Sequence, residues 1–226
     1  MVKKHIFFDL DHTLWDFDKN SGFAFETIFK KHNIVLDCNL FLKHYVPINQ
    51  DYWRKYQMNE VTHQELRFGR FNDVFKILNY EVSADFIDQM SEDYILHLPD
   101  NNYLFDGAVE VLEYLNKKYL LHIITNGFSE VQDKKLERSN IKHFFNTVTN
   151  SEKAGQKKPH PVIFSTALKL ANATKEQSIM IGDSPEADIK GALDFGIDAV
   201  FFNPEEQIIN FETKQIRHLK ELMTFL

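Results

Sequence analysis

Cysteine, positive net charge and long apolar runs are the three things that this sequence has least of. Cys38 is the single cysteine among 226 residues, so no disulfide can form within the chain. Such a composition is typical of proteins from reducing compartments. The net charge of −7 opposes binding to a nucleic acid polymer as a main function. No apolar run approaches the length of a membrane span, and the first one ends at Asp9, too early for a signal peptide. We therefore expect a cytoplasmic protein with no membrane or nucleic acid polymer as partner.

The apolar segments that are present are short, and they alternate with helical patterns. They occupy residues 5–8, 120–124, 147–149 with Phe145, 179–181 and 199–202. Each ends at a polar or glycine-containing turn, as buried parallel strands do. Helical spacing of apolar residues follows in two stripes, Ala108, Val111, Leu112 and Leu115, and Ile163, Ala167, Leu170 and Ala171. The alternation predicts an α/β fold with a Rossmann-like, doubly wound parallel sheet.

Residues 16–99 interrupt this alternation, because their apolar residues recur at helical spacing only. Thr62 with Glu65 predicts a capping box at the start of one helix, and Ser83 is a candidate N-cap for the next. Pro99 and the polar residues 100–102 indicate a return to the first pattern. We expect a core domain formed by residues 1–15 and 100–226, with a helical insertion formed by residues 16–99.

Two carboxylates, Asp9 and Asp11, directly follow the first apolar segment in the stretch HIFFDLDHTL. Charge beside a buried strand is unfavourable unless a cation or hydrogen bonds compensate it. Asp183 follows another predicted strand, and ligands of open α/β sheets bind at the carboxyl ends of the strands. Three carboxylates suit a hard divalent cation, and Mg²⁺ is the cofactor that we expect.

Further polar groups follow other predicted strands. Thr125, Asn126 and Gly127 precede a helical pattern, for which Ser129 is a candidate N-cap, and they could cradle a phosphate group. Lys158 could offer a positive charge to the same phosphate. Ser184 is a candidate N-cap, with Pro185 as first helical residue. Asp188 then falls in the first helical turn, where it either complements the helix dipole or supports the metal.

Taken together, these motifs resemble the haloacid dehalogenase superfamily of aspartate-nucleophile phosphohydrolases. The resemblance rests on DLDHTL at 9–14, ITNG at 124–127, KKP at 157–159 and GDSPEAD at 182–188, in the order of that family. It implies a Rossmann-like core of five parallel strands with the Asp9 strand in the centre. It also identifies the helical insertion with the family's cap of the first type.

The resemblance implies a reaction and a role for each of these residues. Asp9 would attack phosphorus and form an aspartyl-phosphate, while Asp11 would act as general acid and then as general base. Mg²⁺ would be held by Asp9, Asp183 and the backbone carbonyl of Asp11. The phosphate oxygens would be bound by Thr125, Asn126, Gly127 and Lys158. Thr13 would order the loop, and Asp188 would support the metal ligands.

Longer segments resemble the bacterial pyrimidine 5'-nucleotidases of the YjjG type, namely residues 8–18, 124–141 and 152–164. The expected substrate is therefore a nucleoside 5'-monophosphate. A sugar phosphate, phosphoglycolate or another small phosphorylated metabolite is the alternative, and a catalytically silent binding protein is a third reading. Aromatic residues of the insertion region would either stack on a base or fill the core; they are Trp15, Phe17, Tyr52, Trp53 and Tyr56.

Overall fold

The structure, a computed structural model, describes residues 2–226, and the chain divides into two compact units. Among the described residues, one unit consists of residues 2–17 and 102–226, and the other of residues 18–101. Within the described part of the chain, none of the helices combines the length and the apolar character that a membrane crossing requires.

The first unit contains a six-stranded parallel sheet. Its strands are β1 (His5–Phe8), β2 (Leu120–Thr125), β3 (Phe145–Asn150), β4 (Ser178–Gly182), β5 (Asp198–Phe202) and β6 (Lys214–Ile216). They lie in the order β3–β2–β1–β4–β5–β6, so the strand before Asp9 is central, as expected. The structure has one strand more than the expected five. The additional strand, β6, was not predicted because it has only three residues and contains no apolar run.

Helices cover this sheet, and apolar stripes explain their burial. They are α5 (Ala108–Leu115), α6 (Ser129–Arg138), α7 (Ser151–Ala154), α8 (Pro161–Ala171) and α9 (Gly191–Phe195). All four residues of the predicted α5 stripe are buried. The α8 stripe is partly wrong, because Leu170 is exposed whereas Phe164 and Leu168 are buried. The buried face of α8 therefore runs along i, i+1, i+4 and i+5 from Ile163.

The second unit is entirely helical. It contains α1 from Phe17 to Lys31, which begins one residue before the unit boundary, α2 (Cys38–Gln57), α3 (His63–Ile77) and α4 (Ala84–His97). Thr62 and Glu65 form the predicted capping box at the start of α3, and Ser83 caps α4. Aromatic side chains fill the interior of this unit, where Phe25, Phe41, Tyr45, Phe71 and Tyr94 pack against one another. The chain has 21 phenylalanines, and core packing accounts for most of them.

Candidate active site

The carboxyl ends of β1, β2 and β4 bring the predicted motifs to one edge of the sheet. β1 lies between β2 and β4, with Phe8 opposite both Ile123 and Ile181. The backbone of Asp9 continues this pairing by donating to the carbonyl of Ile181 at 2.9 Å. Parallel strands end at the same edge, so residues that follow β1, β2 and β4 become neighbours although over 170 positions separate the outermost ones.

Lys158 is the centre of the charged network at this edge. Its ammonium donates to Asp9 Oδ1 at 2.5 Å, to Asp188 Oδ1 at 2.6 Å and to the carbonyl of Ile124 at 2.8 Å. The side chain is almost fully buried. Burial alone would lower the pKa of Lys158, but the carboxylates of Asp188 and Asp9 more than reverse that effect and raise it. Lys158 is therefore positively charged at neutral pH and lies between the carboxylates of Asp9 and Asp188.

Asp9, Asp183 and Asp188 form a carboxylate cluster in which one oxygen of each residue lies within 4.8 Å of the others. Burial raises the pKa of Asp9 well above its usual range, with Asp188 and Asp183 adding to the effect and Lys158 opposing it. Burial and the charge of Asp188 likewise raise the pKa of Asp183 to about 8. When all three carboxylates are ionised, as metal ligands must be, they and the one ammonium leave two negative charges, which one divalent cation would neutralise. The oxygen donors and the charge both fit Mg²⁺.

Short hydrogen bonds hold the cluster in place. Thr13 donates its hydroxyl to Asp183 Oδ1 at 2.9 Å, so it connects the loop after β1 to the end of β4. Ser184 caps the short π-helix Pro185–Lys190, which precedes α9, and its hydroxyl accepts from the backbone N–H of Ala187, as predicted. The backbone of Ser184 also donates to Asp188 Oδ2 at 3.0 Å. Asp188 is therefore a member of the cluster, bonded to Lys158 and to the backbone of Ser184, and its support of a metal stays a prediction.

The carboxylate of Asp11 lies outside this cluster, although the sequence grouped it with those of Asp9 and Asp183. The expected metal ligand from Asp11 is its backbone carbonyl, and that stays a prediction. The Asp11 carboxylate accepts from Lys135 Nζ at 2.5 Å and from Gln132 Nε2 at 2.7 Å. In a continuous extended strand, residues two positions apart project to the same side. Strand β1 ends at Phe8, before Asp9 and Asp11, so their carboxylates have different surroundings.

Lys135 and Gln132 are site residues that the sequence reasoning missed. Both are buried on α6, and the ammonium of Lys135 lies 4.2 Å from the centre of the Trp15 ring. Burial lowers the pKa of Lys135, although Asp11 opposes this. Their positions in the sequence could have revealed them. Gln132 and Lys135 share one face of α6 with the apolar residues Val131 and Leu136, and that face of an otherwise polar helix is the one expected to be buried.

The segment after β2 is arranged differently from the expected cradle. The Thr125 hydroxyl accepts from Gly127 N at 3.1 Å and from Gln132 Nε2 at 2.8 Å. The side chain of Asn126 makes two hydrogen bonds to the backbone of Lys158. Its Oδ1 accepts from Lys158 N at 2.8 Å, and its Nδ2 donates to the Lys158 carbonyl at 3.0 Å. Asn126 thus positions Lys158, and only its backbone could serve a phosphate.

The prediction that Ser129 caps α6 is wrong. The helix begins at Ser129, and Phe128 occupies the cap position without a side-chain hydrogen bond. The Ser129 hydroxyl accepts instead from Asn150 at 2.9 Å, and its backbone donates to Glu152 at 3.0 Å.

Comparisons with known proteins identify the family. Residues 6–202 match the family of haloacid dehalogenase-like hydrolases. The chain is 32% identical over 206 residues to the pyrimidine 5'-nucleotidase PynA of Streptococcus pneumoniae, a match that covers 90% of this chain and 85% of that protein. It is 31% identical over 228 residues to the pyrimidine 5'-nucleotidase YjjG of Escherichia coli, covering 96% of each.

A solved structure is similar over nearly the whole chain. The magnesium-bound crystal structure of the HAD-hydrolase YfnB from Bacillus subtilis has a TM-score of 0.89 and 32% sequence identity to this protein. The match covers 99% of this chain and 98% of that chain.

Proposed function

The chain belongs to the haloacid dehalogenase-like hydrolases, and from that premise we propose that it is a Mg²⁺-dependent phosphomonoester hydrolase with Asp9 as nucleophile. One observation carries the proposal: the buried carboxylate of Asp9 is held by Lys158 inside a carboxylate cluster whose donors and charge suit a divalent cation. A carboxylate that is fixed and desolvated in this way is prepared to attack an electrophile.

Asp9 and Asp11 divide the reaction between them. Asp9 forms a bond to phosphorus while the ester P–O bond breaks, which produces an aspartyl-phosphate. Asp11 gives a proton to the departing alkoxide and then takes one from the water that hydrolyses the intermediate. The pairing of Asp11 with Lys135 and Gln132 orients its carboxylate for both proton transfers.

The remaining residues of the site would bind Mg²⁺ and orient the substrate phosphate. Mg²⁺ would be held by Asp9, Asp183 and the backbone carbonyl of Asp11, with Asp188 fixing its neighbours, and when bound it would neutralise charge on the transferring group. Lys158 supplies a fixed positive charge to the phosphate oxygens. The hydroxyl of Thr125 and the backbone N–H of Asn126 supply hydrogen-bond donors, whereas the N–H of Gly127 already donates to Thr125.

For the substrate we propose a nucleoside 5'-monophosphate with a pyrimidine base. The proposal is supported by the similarity to two pyrimidine 5'-nucleotidases over most of the chain. We assign the helical insertion, residues 16–99, as the cap domain of this family. The proposed substrate is thus one of the small phosphorylated metabolites.

The test is phosphate release from a panel of esters, with Mg²⁺ and with EDTA. The panel contains UMP, dUMP, dTMP, purine monophosphates, several sugar phosphates and phosphoglycolate. We expect preference for the pyrimidine nucleotides, dependence on Mg²⁺ and loss of turnover in Asp9→Asn. Asp51→Asn, which changes an exposed carboxylate on α2, is the matched control and should behave as the wild type.

Each other outcome contradicts a different part of the proposal. Turnover by Asp9→Asn would mean that Asp9 is not the nucleophile. Preference for a sugar phosphate or phosphoglycolate would keep the chemistry and refute the nucleotidase assignment. No turnover of any ester, with or without Mg²⁺, would favour a catalytically silent binding protein.

A further inference from the structure

Arg70 is a buried arginine in the interior of the helical unit. It lies on α3 and is 1% exposed. Its guanidinium carbon is 5.0 Å from the ring centre of Tyr94, 5.2 Å from that of Phe71 and 5.9 Å from that of Tyr45. A residue type that is almost never fully buried without a partner is here enclosed by three aromatic rings.

The hydrogen bonds of this guanidinium are incomplete. Nη1 donates to Asn49 Oδ1 at 2.9 Å. Nε and Nη2 are buried, and no atom of residues 2–226 accepts a hydrogen bond from either. These two nitrogens form one edge of the planar group, and that edge matches the two oxygens of a carboxylate or phosphate in parallel hydrogen bonds.

The positive charge of Arg70 is also uncompensated by its immediate partners. Asn49 is a neutral amide, and burial raises the pKa of Tyr45 well above its usual range, so the phenol stays neutral. Aromatic faces attract a cation, but they offer no acceptor to the N–H groups. A buried cation with unpaired donors is unfavourable for the folded state, and such groups are found where a ligand completes them.

We propose that Arg70 anchors a binding site for an oxyanion inside the helical unit, in which the Nε and Nη2 edge holds a carboxylate or phosphate group of a small ligand. The site goes beyond the proposed function, since it uses none of the aspartate-cluster residues and stands whichever phosphoester is hydrolysed. Tyr45 and Tyr94 support the site by packing against the guanidinium.

The first experiment observes Arg70 directly. The chain has five arginines, so a ¹⁵N spectrum of the arginine Nε–H groups is simple, and the Arg70 signal is the one missing in Arg70→Lys. The protein is titrated with sodium acetate and, separately, with inorganic phosphate, while sodium chloride of equal ionic strength controls for screening. We expect a saturable shift of the Arg70 signal with acetate, phosphate or both, and none with chloride.

The two probes distinguish the sources of the oxyanion. A shift with acetate alone identifies a carboxylate site, and a shift with phosphate alone identifies a phosphate site. An Arg70 signal that does not move with either anion, or that moves equally with chloride, would overturn the proposal. Because the signal belongs to Arg70, phosphate bound at Asp9 and Lys158 does not affect the conclusion.

The second experiment separates a ligand-binding role from a structural one. In chloride, Arg70→Met should unfold at the same temperature as the wild type or higher, because it removes an uncompensated buried charge and keeps a long apolar stem. The effective anion should raise the unfolding temperature of the wild type more than that of Arg70→Met, in which only anion bound at the aspartate cluster can contribute.

Arg67→Met is the matched control on the same helix, since Arg67 donates to Ser91 at 3.4 Å and is only partly buried. It should retain the anion-dependent rise. If Arg70→Met unfolds at a lower temperature in chloride and each anion raises the unfolding temperatures of Arg70→Met and the wild type equally, Arg70 is a structural cation among aromatic rings and the proposal fails.

Discussion

The buried histidine pair of the sheet unit leads to a prediction about stability and pH. His122 on β2 faces Thr147, with 2.8 Å between its Nδ1 and the hydroxyl, and its Nε2 lies 3.1 Å from Nδ1 of His5. The ring of Phe7 stacks on it at 4.6 Å. Burial, helped by the nearby His5, lowers the pKa of His122 from 6.5 to about 4. His122 is therefore neutral in the folded protein at neutral pH.

The sign and size of the effect follow from proton linkage. Between the two pKa values the unfolded chain binds the proton and the folded protein does not, so acidification favours unfolding. The stability due to this difference is fully present above about pH 6.5 and is lost as the pH falls toward about 4. For one site with these pKa values, the loss between pH 7 and pH 5 is about 2 kcal/mol.

Urea unfolding of the wild type and of His122→Asn at pH 7, 6 and 5 measures this loss. Asparagine can retain the hydrogen bond to Thr147 but does not titrate, so groups common to both proteins cancel in the difference. We expect the free energy of unfolding of the wild type to fall by about 2 kcal/mol more than that of His122→Asn over this range. An equal pH dependence in the two proteins would refute the assigned neutrality of His122.

Two further predictions concern the candidate active site. Lys135→Met removes the ammonium that holds Asp11, so turnover should fall about tenfold or more because the carboxylate loses its fixed position; unchanged turnover would assign Lys135 a purely structural role. A methyl group at residue 182 would overlap the carboxylate of Asp188, so Gly182→Ala should lower turnover and weaken the dependence on Mg²⁺. Gly22→Ala is the control, since its methyl would make only an ordinary contact, and equal behaviour of the two alanine variants would contradict the prediction.

Local sequence patterns predicted those features that depend on near neighbours. The α/β class, the capping box of Thr62 and the caps at Ser83 and Ser184 are all as expected, whereas the central position of the Asp9 strand was implied by the family resemblance. The features predicted from the residues each depend on short apolar runs or on hydrogen bonds that span three or four residues. The three-residue strand β6 was missed for the same reason, because its pairing with β5 is the only thing that makes it a strand.

The partners of charged side chains were beyond the reach of the sequence. Asp188 rather than Asp11 completes the carboxylate cluster, and Asp11 turns toward Lys135, 124 positions away. Asn126 was expected to contact phosphate, whereas both ends of its amide are taken by the backbone of Lys158. Motif spacing shows which residues reach one edge of a sheet, but the choice among several carboxylates and cations there depends on distances of a few ångströms.

The sequence by itself determined the class of fold and the set of residues at the carboxyl edge, because strand periodicity and the polar residues after each strand are properties of neighbouring positions. Only the tertiary structure decided that Lys158 is shared by Asp9 and Asp188, and that Arg70 is buried among aromatic rings with two donors unpaired. Burial and charge pairing between distant residues arise when separate elements pack together, and no local pattern encodes them.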